Sequence, residues 1–405
     1  MKVVGIVAEY NPFHNGHAYH IQQAKKVTGC DYCIVVMSGD YTQRGVPAMI
    51  DKYSRTQMAL SNGADLVIEL PVRFATASAE SFATSAISLL NATGVVTDLC
   101  FGSESGNIEK LSKIAKVLLE EPDEYKEVLK RVLKDGHSYP VARNTALQCL
   151  DCWDFDSLKI LSMPNNILGI EYIKALMKTG SKMNPVTIKR KGSNYNDCSL
   201  SDLFSSAMAI RSSIATTENL ENIYSDVPEN VYTILKEKQN ISFPIVPDDF
   251  SEMLHYKLLS EKDNGFTQYI DVNADLSDRI AKNVYQYKNY ESFCDLLKTK
   301  NMTYTRISRC LLHILLDLKT DETMQPSYIR ILGLNTRAGD LSKALKENST
   351  LPLISKLADA KKQLSDDAFT LLSEDIFASN LYGSVLSHKF GNEFVSDYQK
   401  PVQTI

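Results

Sequence analysis

The chain has 405 residues, a net charge of −5, and hydrophobic and charged shares of 44% and 23%, the balance of a globular protein of two or three domains. The acidic excess excludes a protein that coats nucleic acid indiscriminately, while leaving room for a local basic face. No apolar run is long enough to span a bilayer, and an apolar strand starting at Lys2 leaves no room for a signal peptide, so a cytoplasmic protein without membrane contact is expected.

In such a compartment the eight cysteines read as reduced thiols. Cys30 and Cys33, and Cys149 and Cys152, have CxxC spacing. The pairs lie far apart and Cys33 opens an apolar run, so no metal site is assigned.

Residues 3–8 form an apolar run that reads as a buried strand. Asn11-Pro12 turns the chain, because proline cannot continue a ladder. His14, Asn15, Gly16 and His17 follow, and a helical pattern begins with Ala18, Ile21 and Ala24. Strand, turn and helix N-terminus make a geometry that receives phosphate: free N–H groups and the helix dipole both favour an anion. Gly16 removes a side chain where a ligand comes close, and the two imidazoles supply donors. The alternative is a pair of helix caps.

Further strands are expected at residues 31–37, 65–69, 98–101 and 186–190, with helices at 17–26, 52–60 and 79–90 between them. This alternation implies an α/β, Rossmann-like parallel sheet with covering helices and a ligand site beyond the carboxyl ends of the strands. A stretch rich in Lys, Glu and Leu at about 107–160 reads as a helical insertion. Residues 241–249, with Pro244 and Pro247, read as a linker. Strand signals fade beyond it, so a catalytic domain over 1–240 and a mainly α-helical domain over 241–405 are expected.

Several motifs fall at the strand ends. Ser38-Gly39-Asp40-Tyr41-Thr42-Gln43-Arg44-Gly45 supplies tight turns and an arginine suited to phosphate or carboxylate. Asp51 caps the next helix, where Lys52 and Arg55 are candidates for substrate contact. Gly102 either admits adenine or ribose or is a turn glycine. Asn165 and Asn166 begin a helix, as caps or as readers of a base edge. Residues 172–196 hold six bases and no acid, ending in Lys189, Arg190 and Lys191 near the presumed phosphate site. Phe204-Ser205-Ser206 followed by Arg211 forms a second helix-start anion site. Residues 298–309 contain Lys298, Lys300, Arg306 and Arg309 with Tyr304 and no acid, a set suited to RNA phosphates and stacking, or else a plain basic helix start.

His14-Asn15-Gly16-His17 resembles the HxGH signature of the nucleotidylyltransferase superfamily, and Phe204 to Arg211 resembles the ISSTxIR element that accompanies it. The strings Val7 to His17, Ser38 to Ala48, Asp51 to Arg55, Asp65 to Pro71, Phe101 to Glu104, Pro164 to Tyr172 and Tyr304 to Arg309 are similar to the bacterial tRNA(Met) cytidine acetate ligase family. The second loop departs from it: Asp40-Tyr41 stand where the family has Asn-Phe, which adds a charge.

The resemblance implies that acetate and ATP form acetyl-adenylate, and that the acetyl group passes to N4 of the wobble cytidine of elongator tRNA(Met). It implies an ATP site over Ile6, Val7, Ala8, Glu9, Tyr10, Asn11, Pro12, Phe13, His14, Asn15, Gly16, His17 and His20, with Gly102, Asn165, Arg190, Ser205, Ser206 and Arg211. His14, His17, Asp40 and Lys52 are the catalytic candidates, and Lys298, Lys300, Tyr304, Arg306 and Arg309 the tRNA-binding ones. Mg2+ is expected with the ATP. Acetate is ionised at neutral pH, so adenylation needs alignment and charge neutralisation rather than a general base. The alternative is a small-molecule adenylyltransferase acting on a phosphorylated acceptor.

Overall fold

The computed structural model describes residues 1–137, 139–150, 159–190, 205–217, 219–300, 302–321 and 323–405. Cys152, Lys191 and Phe204 lie outside the described residues.

The N-terminal part alternates as its sequence pattern requires. The order is β1 (Val3–Ala8), α1 (Asn15–Thr28), β2 (Tyr32–Ser38), α2 (Lys52–Ser61), β3 (Leu66–Leu70), α3 (Val72–Ala75), α4 (Ala79–Ala92) and β4 (Asp98–Ser103). Helices α5 (Ile108–Glu120), α6 (Asp123–Lys134) and α7 (Tyr139–Gln148) come next. Then follow α8 (Pro164–Lys178), β5 (Asn184–Lys189), α9 (Ala207–Thr217) and α10 (Glu229–Lys238).

Strands β5, β4, β1, β2 and β3 are neighbours in that order, each pair parallel. Both faces of the sheet are covered, which is why these strands read as unbroken apolar runs. Val3, Ile34, Val36, Leu66 and Ile68 pack to one side with Leu89, Leu90 and Ile173. Val4, Ile6, Val35, Met37 and Val67 pack to the other with Ile21, Met58 and Ile210.

The C-terminal part departs from the expectation that strand signals fade. Its helices are α11 (Ser251–Glu261), α12 (Ala274–Asn283), α13 (Tyr290–Leu297), α14 (Tyr304–Leu315), α15 (Gly339–Asn348), α16 (Ala360–Gln363) and α17 (Asp366–Phe390). They are interleaved with β6 (Ile329–Leu334), β7 (Leu353–Ile354) and β8 (Gln403–Thr404). β6 joins β3 antiparallel, and β7 and β8 join β6. The sheet thus has eight strands and takes its far edge from the end of the chain. A separate apolar cluster, with Phe250, Leu254, Phe266, Phe293, Leu311 and Leu312 in it, holds the helical part together.

Candidate active site

An open cleft runs over the carboxyl ends of β1, β4 and β5. Val7, Ala8, Glu9, Tyr10, Asn11, His14, Gly16, His17, His20, Gly102, Asn165, Arg190, Ser205, Ser206 and Arg211 line it. Four other residues expected there are elsewhere. Ile6 and Phe13 are sealed in the core. Pro12 sits in the turn, after a cis peptide bond, and is not part of the cleft lining. Asn15 points to the far side, where its Nδ2 donates to the Ser225 carbonyl at 2.7 Å.

The histidine pair is built by helix capping. His14 is the N-cap of α1 in extended conformation, and its Nδ1 accepts from the Gly16 N–H at 3.1 Å. The Nδ1 of His17 in turn accepts from the His14 N–H at 3.2 Å. Both Nδ1 atoms being acceptors, the proton of each neutral ring sits on Nε2, as a donor. The rings stack at 3.7 Å between centroids and 28° between planes. The capping alternative thus holds for both side chains, and it leaves each Nε2–H directed away from the cap. Gly16 is required by the ring beside it: a Cβ there would lie 2.8 Å from Cε1 of His14.

Burial governs the charge of this pair. Loss of solvent, then the Arg190 and Arg211 guanidinium groups, push His14 down to about 3. Burial and the neighbouring His14 hold His17 well below the ordinary histidine range, and burial with Arg190 brings His20 down to about 4. At neutral pH the cleft thus offers neutral imidazole donors flanked by two guanidinium charges, a field suited to a polyanion.

The second helix start lies opposite. Ser206 Oγ accepts from the Ala209 N–H at 3.0 Å, capping α9. Arg211 Nη1 donates to the Asn11 carbonyl at 2.6 Å, which ties this helix to the turn after β1. Gly102 lies inside β4 rather than in a turn, and a Cβ would meet Arg190 Cγ at 3.4 Å. Lys189 joins Arg190 along the cleft.

Asn165 does not cap its helix. The Glu104 carboxylate does so instead, accepting from the Asn165 N–H at 3.2 Å and the Asn166 N–H at 2.8 Å. Glu104 also accepts from Asn165 Nδ2 at 2.7 Å, which fixes the amide on the cleft lining. Glu104 and the cleft walls Phe82, Leu168 and Tyr172 were not singled out as site residues in the sequence. The signal for Glu104 was present in Phe101-Gly102-Ser103-Glu104. The apolar walls give none, because a cleft-lining leucine and a core leucine look alike in sequence.

Asp40 and Lys52 are corrected by the structure: neither lines the cleft. Asp40 Oδ1 accepts from the Lys52 N–H at 2.7 Å as a helix cap, and burial raises its carboxyl to about 6. Lys52 is fully buried, with Nζ donating to Glu69 at 2.8 Å, to Ser379 at 2.6 Å and to Asp397 at 3.3 Å. Arg330 completes the cluster at 3.0 Å from Glu69 and 2.8 Å from Asp397. Burial and Arg330 press against the Lys52 charge, but the Asp397 and Glu69 carboxylates hold it ammonium. These groups lock the chain end under the sheet.

Arg55 is likewise internal. Its guanidinium donates to the Ile50 carbonyl at 3.0 Å, Glu9 at 2.7 Å, Ser38 at 3.0 Å and Gly39. It clamps together the loops after β1 and β2, so it shapes the cleft without entering it.

The basic segment over 298–309 lies at the α13–α14 junction. Lys298 and Lys300 are exposed, and Arg306 is half-buried on the first turn of α14. Tyr304 packs partly against the helical core, and Arg309 sits 3.9 Å from Asp271. Among the described residues no group of three or more His, Cys, Asp or Glu is disposed to hold a metal ion, and no helix is long and apolar enough to cross a membrane.

The HIGH Nucleotidyl Transferase family matches residues 1–396. A relative named tRNA(Met) cytidine acetate ligase from Thermoanaerobacter sp. (strain X514) is 42% identical, covering 94% of this chain and 95% of its own length. Another of that name from Clostridium tetani is 41% identical over 99% of this chain and 100% of its own. The crystal structure of apo Thermotoga maritima TmcAL superposes with a TM-score of 0.94 at 35% identity, covering 100% of both chains. That of TmcAL bound with alpha-thio ATP gives 0.91 at 34% identity over the same 100% coverage. This chain belongs to the tRNA(Met) cytidine acetate ligase family of HIGH nucleotidyl transferases.

Proposed function

We propose that the protein is a cytoplasmic ATP-dependent ligase that acetylates N4 of the wobble cytidine of elongator tRNA(Met), using acetate. The observation that carries the adenylation half is the stacked His14–His17 pair, two Nε2–H donors between the Arg190 and Arg211 charges at paired helix starts. The acceptor half rests on the name shared by the relatives over nearly the whole chain.

In the first step an acetate oxygen attacks the α-phosphorus of ATP, and the bond to the β-phosphate bridging oxygen breaks, releasing pyrophosphate. Charge grows on the phosphate oxygens, where the Nε2–H groups and guanidinium groups stabilise it more than in the ground state. Magnesium on the triphosphate would add charge neutralisation. With no three-donor cluster among the described residues, phosphate oxygens and water would be its main ligands. In the second step the cytidine N4 attacks the acetyl carbon, AMP leaves, and N4 loses a proton. Asp40 is outside the cleft, and the ring Nδ1 atoms of His14 and His17 are occupied by backbone N–H groups, so the Glu9 carboxylate on the cleft lining is the group proposed to take that proton. Lys298, Lys300, Tyr304, Arg306 and Arg309 are proposed to bind the tRNA.

Exchange of labelled pyrophosphate into ATP tests the reading. It should require acetate and proceed without any phosphorylated acceptor. Exchange that instead needs a phosphorylated small molecule would favour the ordinary adenylyltransferase alternative.

A further inference from the structure

The segment Thr42–Val46 joins the nucleotide cleft to the basic start of α14. It is a closed turn: the Thr42 N–H donates to Val46 O at 3.0 Å and the Gly45 N–H to Thr42 O at 2.9 Å. On one side Gln43 and Arg44 line the cleft, and the Gln43 N–H donates to Glu9 Oε1 at 2.7 Å. On the other side the Gly45 carbonyl accepts from Tyr290 OH at 2.9 Å and from Ser308 Oγ at 2.8 Å, both buried. The fit leaves no slack. Gly45 has φ +76°, and a Cβ there would stand 2.3 Å from the Arg309 backbone nitrogen. The turn thus rests backbone on backbone against the helix that carries Arg306 and Arg309.

Arg44 shares the cleft lining with Arg190 and Arg211. Arg190 and Arg211 are the arginines whose charges depress the cleft histidines. Arg44 is half-buried, on a turn whose Gly45 carbonyl is held by Ser308 of α14. A guanidinium at that place suits a phosphate arriving from the α14 side.

We infer that Arg44 binds the acceptor strand, holding a phosphate beside the target nucleotide, and that Ser308 and Tyr290 act through Gly45 to position it. This rests on the proposed function and adds a specific role: Arg44 serves acetyl transfer and not adenylation.

The experiment runs both half-reactions on the full chain. Arg44→Gln should lower tRNA acetylation by about tenfold or more, the loss of one charge-assisted contact. Acetate-dependent pyrophosphate exchange should stay within about twofold in the same sample, which also shows that the variant is folded. The double change Ser308→Ala with Tyr290→Phe should give the same split, and Ser308→Thr, which keeps the hydroxyl, should restore transfer when combined with native Tyr290. Equal loss of exchange and transfer in Arg44→Gln would assign Arg44 to the triphosphate and overturn the inference. Transfer unchanged in Arg44→Gln would overturn it too. Wild-type protein that exchanges pyrophosphate yet acetylates no tRNA would refute the function reading itself, a result seen before any variant is made.

Discussion

His14 and His17 hold each other in one protonation state. The backbone N–H of His14 donates to Nδ1 of His17 at 3.2 Å, and the two rings stack 3.7 Å apart. Two imidazolium ions at that distance would repel in a buried site, so the pair waits neutral until a polyanion arrives. The proposed catalytic role and helix capping fall on the same residues, and a test has to separate them.

His14→Asn should do so. Asparagine is a strong N-cap, so α1 keeps its start, while the ring Nε2–H is lost. Acetate-dependent pyrophosphate exchange should fall by about 10²–10³-fold, the usual effect of removing one preorganised donor. The unfolding midpoint should barely change. His14→Ala should show the same loss of exchange plus about 1 kcal/mol of stability from the missing cap. Neither change should alter tRNA affinity measured by filter binding.

The histidines also predict a pH profile for the protein without nucleotide. In the folded chain His14 titrates near 3 and His20 near 4, with His17 also well depressed. Unfolded histidine titrates near 6.5. Between these values the unfolded chain binds more protons, so stability is full above about pH 6.5 and drains as pH falls below it. Each histidine contributes a slope of about 1.4 kcal/mol per pH unit. Chemical denaturation at pH 7.5, 6 and 5 should show the decline. Saturating ATP should flatten it, because the bound polyanion favours protonated rings. A flat profile without nucleotide would show the rings to be charged in the empty cleft.

The buried cluster around Lys52 makes a different prediction. Asp397, paired with Lys52 at 3.3 Å and Arg330 at 2.8 Å, lies near the chain end. Asp397→Ala leaves two buried cations short of a partner and should cost about 3–5 kcal/mol. Lys52→Met should also destabilise, yet protein that remains folded should keep its rate of pyrophosphate exchange. A Lys52→Met variant with a native melting point and no exchange would return Lys52 to the catalytic set.

The basic surface is tested by salt. Replacing Lys298, Lys300, Arg306 and Arg309 with glutamine should weaken tRNA binding. If each residue contacts one phosphate, the slope of log affinity against log salt should become shallower by about 3. Pyrophosphate exchange should persist. An unchanged slope would move the RNA surface elsewhere.

Much of the parallel half was legible in the sequence because its signals are local. The apolar run at residues 3–8 and the His14 helix start lie side by side in the chain, and both appear where the pattern put them. What escaped was non-local. β6 is a short apolar stretch interrupted by Arg330 and Gly333, and its partner β3 is hundreds of residues earlier, so nothing nearby marks it as a sheet strand. Lys52 looked like a substrate contact because it stands beside a strand end. Its counter-charges, Glu69, Arg330 and Asp397, come from distant segments that only the fold unites. Arg55 misled for the same reason: a buried guanidinium serving carbonyls and one serving phosphate have identical local sequence.

The central claim is best tested by incubating the protein with ATP, magnesium, labelled acetate and unmodified elongator tRNA(Met), then digesting the RNA to nucleosides. Label recovered as N4-acetylcytidine, dependent on ATP and absent from other tRNAs, is the predicted result. Labelled acetyl-adenylate with no labelled nucleoside would contradict the assigned acceptor, and the absence of both products would contradict the ligase reading as a whole.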